Sequence, residues 1–141
     1  MKSIVTQKQV LLDSCAIQHA LENPRSGKKL SKILHSMDAK FFVSTRTLFE
    51  LEKNLRQNKQ KILNTTSKLL GIEITIHYST IAEKQWEKQE QVKFLCHYED
   101  RPILSAAKFQ KFILLTADKA LRNISNHFGI QAFHPMNGGL V

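Results

Sequence analysis

Apolar residues recur along this chain in two alternating rhythms, short unbroken runs and stripes spaced three to four residues apart. Gln9-Val10-Leu11-Leu12-Asp13 is a short apolar run closed by a polar residue, which predicts a strand. From Ser26 to Met37, the residues Leu30, Ile33, Leu34 and Met37 stand at i, i+3, i+4 and i+7, the spacing of an amphipathic helix. Phe41-Phe42-Val43 predicts a second strand, and Ser44-Thr45 offers hydroxyls to cap a helix from Arg46 to Arg56. A polar helix is expected from about Lys59 to Leu70, with Gly71 as its stop. Ile72 to His77 alternates as a strand should, and Ser79 or Thr80 opens a long charged helix toward Cys96. Ile103 to Phe109 predicts a helix with Pro102 accommodated in its first turn. Phe112 to Leu115 then predicts a strand, Lys119 to His127 a helix and Ile130 to Phe133 a last strand.

Short apolar strands that alternate with helices imply β-α-β crossovers, and so a parallel sheet buried on both faces. The expected fold is a three-layer α/β/α sandwich around a mostly parallel sheet of four to five strands. A length of 141 residues suits one domain spanning 1–141, and 42% hydrophobic with 23% charged residues is the composition of a globular chain. No run reaches the ~18 apolar residues of a membrane helix. Met1 to Val10 carries Lys2, Gln7, Lys8 and Gln9 in place of a signal peptide's apolar core. These features predict a soluble cytoplasmic protein with no membrane partner. Gly138-Gly139 reads as a loose tail, and Cys15 and Cys96 as ordinary thiols outside any metal-ligand spacing.

Charge narrows the class of partner. Lys and Arg number 21 against 12 Asp and Glu, a formal net charge of +9. Between Pro24 and Lys68 stand eleven Lys and Arg and only Asp38, Glu50 and Glu52 as acids. Such a field favours a polyanion, and Lys28, Lys29, Lys32, Lys53, Arg56, Lys59 and Lys61 are the candidate contacts to a nucleic-acid backbone. A solvated basic surface would have the same composition, so charge names no reaction.

The acids point to one. In an open parallel sheet, chemistry gathers at the carboxyl ends of the strands. Asp13 closes the first strand, Asp118 follows Leu114-Leu115-Thr116-Ala117, and Asp100 precedes the helix near Pro102. Each aspartate could simply cap a helix. Glu50 could be a solvated partner of Arg46, one turn earlier. Glu52 competes with Glu50, and periodicity leaves the choice open. Several acids at one sheet edge repel one another unless a cation sits among them, and hard oxygen ligands suit Mg²⁺ or Mn²⁺. A divalent cation in an acidic pit, surrounded by basic surface, suits phosphodiester hydrolysis.

The ordered set Leu11-Leu12-Asp13-Ser14, Ser44-Thr45-Arg46-Thr47-Leu48-Phe49-Glu50-Leu51, Asp100-Arg101-Pro102-Ile103-Leu104-Ser105-Ala106-Ala107 and Leu114-Leu115-Thr116-Ala117-Asp118, then Gly129-Ile130, resembles the PilT N-terminal (PIN) domain nucleases. The match spans nearly the whole chain. By this resemblance Asp13, Glu50, Asp100 and Asp118 correspond to the family's catalytic, metal-binding acids, and Glu50 is preferred to Glu52. Ser14 and Thr116 match supporting polar positions. Cys15 replaces a more usual small polar residue and Ala117 a frequent Asn, neither loss removing a carboxylate. The resemblance implies cleavage of single-stranded or structured RNA with one or two divalent ions and water as nucleophile. Many members are toxins held by a small antitoxin, and many pair as homodimers. Arg46, one turn before Glu50, is placed to contact the scissile phosphate or to orient that carboxylate.

Other chemistries find little support. The histidines show no His-Glu-x-x-His or Cys/His spacing, and no Gly-rich phosphate loop is present. A haloacid-dehalogenase-type phosphatase wants a second acid at position 15, where Cys15 stands, and a receiver domain wants an acidic pair that is missing. The remaining alternative is a non-catalytic PIN-like module that binds RNA or a protein. Trp86 reads as a packing anchor.

Overall fold

The structure is a computed structural model that describes residues 7–135, so the first six residues and the Gly138-Gly139 tail lie outside the described residues. Its first half runs β1 (Lys8–Leu12), α1 (Ser14–Glu22), α2 (Pro24–His35), β2 (Ala39–Ser44), α3 (Thr45–Leu55), α4 (Lys59–Leu70) and β3 (Ile74–His77). The second half runs α5 (Ile81–Glu87), α6 (Glu90–Leu95), α7 (Arg101–Gln110), β4 (Ile113–Leu115), α8 (Lys119–His127) and β5 (Ala132–Phe133). The five strands form one sheet in the order β3-β2-β1-β4-β5, every pairing parallel. The expected three-layer α/β/α architecture is what the chain adopts. No helix of the described residues is long and apolar enough to cross a membrane.

Side-chain alternation along β1 explains why both faces need cover. Val10 and Leu12 enter a core built with Ile17, Leu30, Leu34, Leu51, Ile62 and Leu70, the faces of α1 to α4. Leu11 points the other way, into a second core with Trp86, Val92, Leu104, Ala107 and Leu121, the faces of α5 to α8. All three β1 residues are completely buried, each worth roughly 1.5–3 kcal/mol relative to exposure. β1 is thus the centre of the molecule, and strand order runs outward from it in both directions.

Two elements differ from the sequence expectation. The chain between Asp13 and Pro24 forms α1, and Asn23 accepts from the Arg25 and Ser26 amides to start α2 at Pro24. The long charged helix expected from Ser79 or Thr80 to Cys96 is a pair, broken where Gln89 turns extended (φ −66°, ψ 142°). In an unbroken helix Val92 would lie roughly 120° around the axis from Trp86. The break lets Trp86, Val92 and Cys96 enter the same core. Burial of those three side chains outweighs the helix preference of the intervening Glu, Lys and Gln. Trp86 is the packing anchor that was expected, edge-on to Phe109 and Phe128.

Candidate active site

Strand order reverses between β1 and β4, and the carboxyl ends on either side of such a switch point frame a crevice. Asp13 leaves β1 there and Asp118 follows β4. The third acid, Glu50, lies on α3, directly after β2, and Asp100 precedes α7, which packs against α3 and β2. All four line one cavity of about 200 Å³, together with Ser14, Cys15, Arg46, Thr47, Glu99 and Ile103. A larger hollow of about 560 Å³ at another part of the sheet has two acids in its lining, Asp38 and Glu73, beside Lys40 and His35. Chemistry, not size, singles out the smaller cavity. Glu52 does not line it, whereas Glu50 does.

Hydrogen bonds hold the first carboxylates in place. Asp13 Oδ1 accepts from the Ser14 amide at 2.8 Å, so the residue does cap α1. Its Oδ2 accepts from the Thr116 hydroxyl at 2.6 Å and from the Cys15 thiol at 3.2 Å. The Thr116 hydroxyl also accepts from the Asp118 amide at 3.1 Å, joining the turn after β1 to the turn after β4. Asp118 in turn caps α8 by accepting from the Leu121 amide at 3.2 Å. Ser14 donates its hydroxyl to Glu50 Oε2 at 3.1 Å. Ser14 and Thr116 therefore stand where supporting groups would be needed. Burial, and next the Asp13 carboxylate, push the Cys15 thiol up, which keeps it a protonated donor.

Asp100 is different. It stands at the start of α7 with no side-chain cap bond. Its carboxyl is pushed above the usual range, first by desolvation and then by the Asp118 and Asp13 charges, with a smaller contribution from Glu50. The charges of the other three acids thus reach Asp100 across the cavity. Arg46 is the nearest compensating charge: its Nε lies 3.6 Å from Glu50 Oε1, buried and without a hydrogen-bond partner among the described residues.

The donor set fits a hard divalent cation: four carboxylates facing one small polar space. Among the described residues no three His, Cys, Asp or Glu close into a ready ligand group. The two facts are compatible, because Mg²⁺ keeps several waters, through which an acid that does not touch the ion can still hold it.

The seven candidate backbone contacts of the basic segment are exposed on α2, on and just after α3, and on α4, and none lines the carboxylate cavity. The cations that do adjoin it are elsewhere. Lys84, Lys88, Lys93 and Arg101 line a second cavity of about 340 Å³ with Tyr98, and Arg46 is common to both cavities. Sequence reading missed this group, as it missed Glu99. The only available signal was the density of Lys and Glu between Ile81 and Arg101.

A small parallel α/β domain with clustered acids at its switch point defines the class. The sequence profile of the PIN domain matches residues 10–126, and the chain belongs to the PIN domain family. No curated protein sequence matches. Among solved structures the chain is similar to VapBC-1 from nontypeable Haemophilus influenzae, at TM-score 0.65 and 15% identity, covering 90% of this chain and 98% of that one. It is also similar to VapBC2 from Rickettsia felis bound to a DNA fragment from their promoter, at TM-score 0.63 and 15% identity over 89% and 98%. A PilT N-terminus domain protein, SSO1118 from Sulfolobus solfataricus P2, gives 0.58 and 16% over 94% and 91%. At these identities the likeness shows the fold.

Proposed function

We propose that this protein is a divalent-metal-dependent endoribonuclease, with Asp13, Glu50, Asp100 and Asp118 as catalytic and metal-binding acids. The observation that carries the reading is that all four acids line one small cavity at the switch point. When bound, Mg²⁺ or Mn²⁺ supplies positive charge for the scissile phosphate and makes water a better nucleophile. Asp13 and Glu50 are held for that cation by Thr116 and Ser14, so their orientation is set before substrate arrives. Asp100, which spends no oxygen on a cap, is free to meet the cation or its water. Arg46 offsets the Glu50 charge and lines both the carboxylate cavity and the basic cavity beside it. Lys28, Lys29, Lys32, Lys53, Arg56, Lys59 and Lys61 belong to this proposal as a long-range field that draws RNA in. So do a small antitoxin as protein partner, for which the VapBC structures are the analogy, and pairing as a homodimer.

Incubation of the protein with cellular RNA in Mn²⁺, and in EDTA, tests the reading. Cleavage is expected with the metal alone. Asp118→Asn is the cleanest variant, because Asn caps a helix as well as Asp does. It should lower the cleavage rate on the order of a hundredfold or more, the scale of losing one charge-stabilising group. Glu50→Gln should do the same, and Glu52→Gln should leave the rate within a few-fold. Full activity in the Asp118 variant, or none in wild type with either metal, would leave the non-catalytic module as the answer.

A further inference from the structure

We infer that the cavity beside the carboxylates is a seat for single-stranded RNA, with one unpaired base stacked on Tyr98. The inference rests on the nuclease reading and adds where, and in what form, the substrate lies. Its lining is strongly basic and contains an exposed aromatic ring. Arg46, Lys84, Lys88, Lys93 and Arg101 contribute five cations against one acid, Glu87, which accepts the Ser105 hydroxyl at 2.8 Å. Charge of one sign around a cavity of about 340 Å³ is complementary to phosphates.

The aromatic group makes the seat specific for a nucleic acid with open bases. Tyr98 is 68% exposed, too much for a packing residue of its size. It is nevertheless oriented. The Arg46 and Arg101 guanidinium carbons each lie 5.9 Å from the ring centroid. Arg101 is itself fixed, donating to the Cys96 and Lys93 carbonyls at 3.2 Å each. An exposed ring with the guanidinium groups of two arginines over it offers a base flat partners, aromatic and guanidinium, to stack on and its phosphates two cations. A paired base would have no face to offer.

Position completes the argument. Arg46 lines both cavities, so the seat is continuous with the carboxylates. Tyr98 stands two residues before Asp100 in the turn between α6 and α7. The break between α5 and α6 allows Lys84, Lys88 and Lys93 to line the same hollow. A strand with a base on Tyr98 therefore has its neighbouring phosphate directed toward the acids. Phe49, 55% exposed with Arg46 at 5.4 Å from its centroid, extends the platform on the α3 side.

The test uses a fluorescein-labelled RNA dodecamer, single-stranded or annealed to its complement, bound in EDTA to the full chain carrying Asp118→Asn, where no cleavage is expected. Anisotropy should show the single strand bound more tightly than the duplex. Tyr98→Ala should weaken single-strand binding about tenfold, and Tyr98→Phe should stay within about twofold, since the ring and not the hydroxyl carries the contact. Lys88→Ala with Lys93→Ala should reduce the slope of log K against log salt by about 0.7 per lost phosphate contact. Dodecamers with one abasic nucleotide should include a position at which Tyr98→Ala costs nothing more. Far-ultraviolet circular dichroism confirms that the exposed substitution leaves the fold intact. If RNA binds and is cleaved yet Tyr98→Ala and the lysine pair leave affinity unchanged, the inference falls while the nuclease reading stands. If no RNA is bound or cut by wild type, both fall together.

Discussion

Asp100 is the one aspartate at a helix start that caps nothing, and this has a consequence for stability. A carboxyl whose pKa is raised by folding holds its proton more tightly in the folded chain than in the unfolded one. Its stabilising share is present below the ordinary carboxyl range and is lost as pH rises through the raised value. At pH 7 in EDTA the ionised group is therefore a burden, and Asp100→Asn should melt higher than wild type. The difference should shrink as pH falls toward about 4, where the unfolded carboxyl also protonates. Millimolar Mn²⁺ should reverse the order, because a cation that binds the folded state stabilises wild type by mass action. Thermal melts across pH with and without metal check both directions. An Asn variant less stable than wild type in EDTA at pH 7 would mean that Asp100 is a structural residue. Thr116 makes the complementary case: completely buried, its hydroxyl serves Asp13 and the Asp118 amide at once. Thr116→Val should cost about 1–3 kcal/mol in urea unfolding, the scale of stranding buried polar partners.

Helix ends show how much an element's boundary depends on a single backbone angle. Three of the helices close on a left-handed residue: Arg56 after α3, Gly71 after α4 and Lys111 after α7. Only Gly71 has no Cβ to strain. A Cβ there would also stand 3.0 Å from His35 Nε2, which bonds the Leu70 carbonyl and ties α2 to the end of α4. Gly71→Ala should lower stability by about 1–2 kcal/mol. Lys111→Gly should raise it by rather less, because the freer unfolded chain offsets part of the relief. Urea midpoints that moved in the same direction would contradict this account. Gly71 was legible in the sequence because glycine announces such a turn. α1 was not, since Ala16 and Ala20 bury little apolar surface and break no rhythm. The interruption at Gln89 was also hidden, because Glu, Lys and Gln all favour helix and the cause lies in the second core. For the same reason the acids at strand ends could be read from the chain, while Lys84, Lys88, Lys93, Arg101 and Tyr98 could not. Their proximity is a product of the broken helix pair and of the turn that follows it.

At the scale of the whole molecule, the cations fall into two groups that should act at different stages of binding. Lys59 and Lys61 are exposed on α4 and line neither cavity, so their effect is through the field. Replacing both by Ala should slow RNA association several-fold at low salt, with little effect at high salt, and leave dissociation unchanged. Biolayer interferometry with immobilised RNA separates the two rates, and a faster dissociation would place these lysines in contact with the strand. The position of β1 at the centre of the sheet has a further consequence, for the order in which the protein is made. Of the five described strands β1 comes earliest, yet its second neighbour, β4, begins about a hundred residues later along the chain. The hydrogen bond from Thr116 to Asp13 spans 103 residues, and Asp118 follows it. Contacts so distant along the chain form late, after the local helices and the β1–β2 pairing are available. An unfinished nascent chain accordingly holds Asp13 and Glu50 but neither Asp118 nor the hydroxyl that orients Asp13. On the proposed reading, RNA lying beside the emerging polypeptide would meet the full set of acids only after the turn beyond β4 had been made.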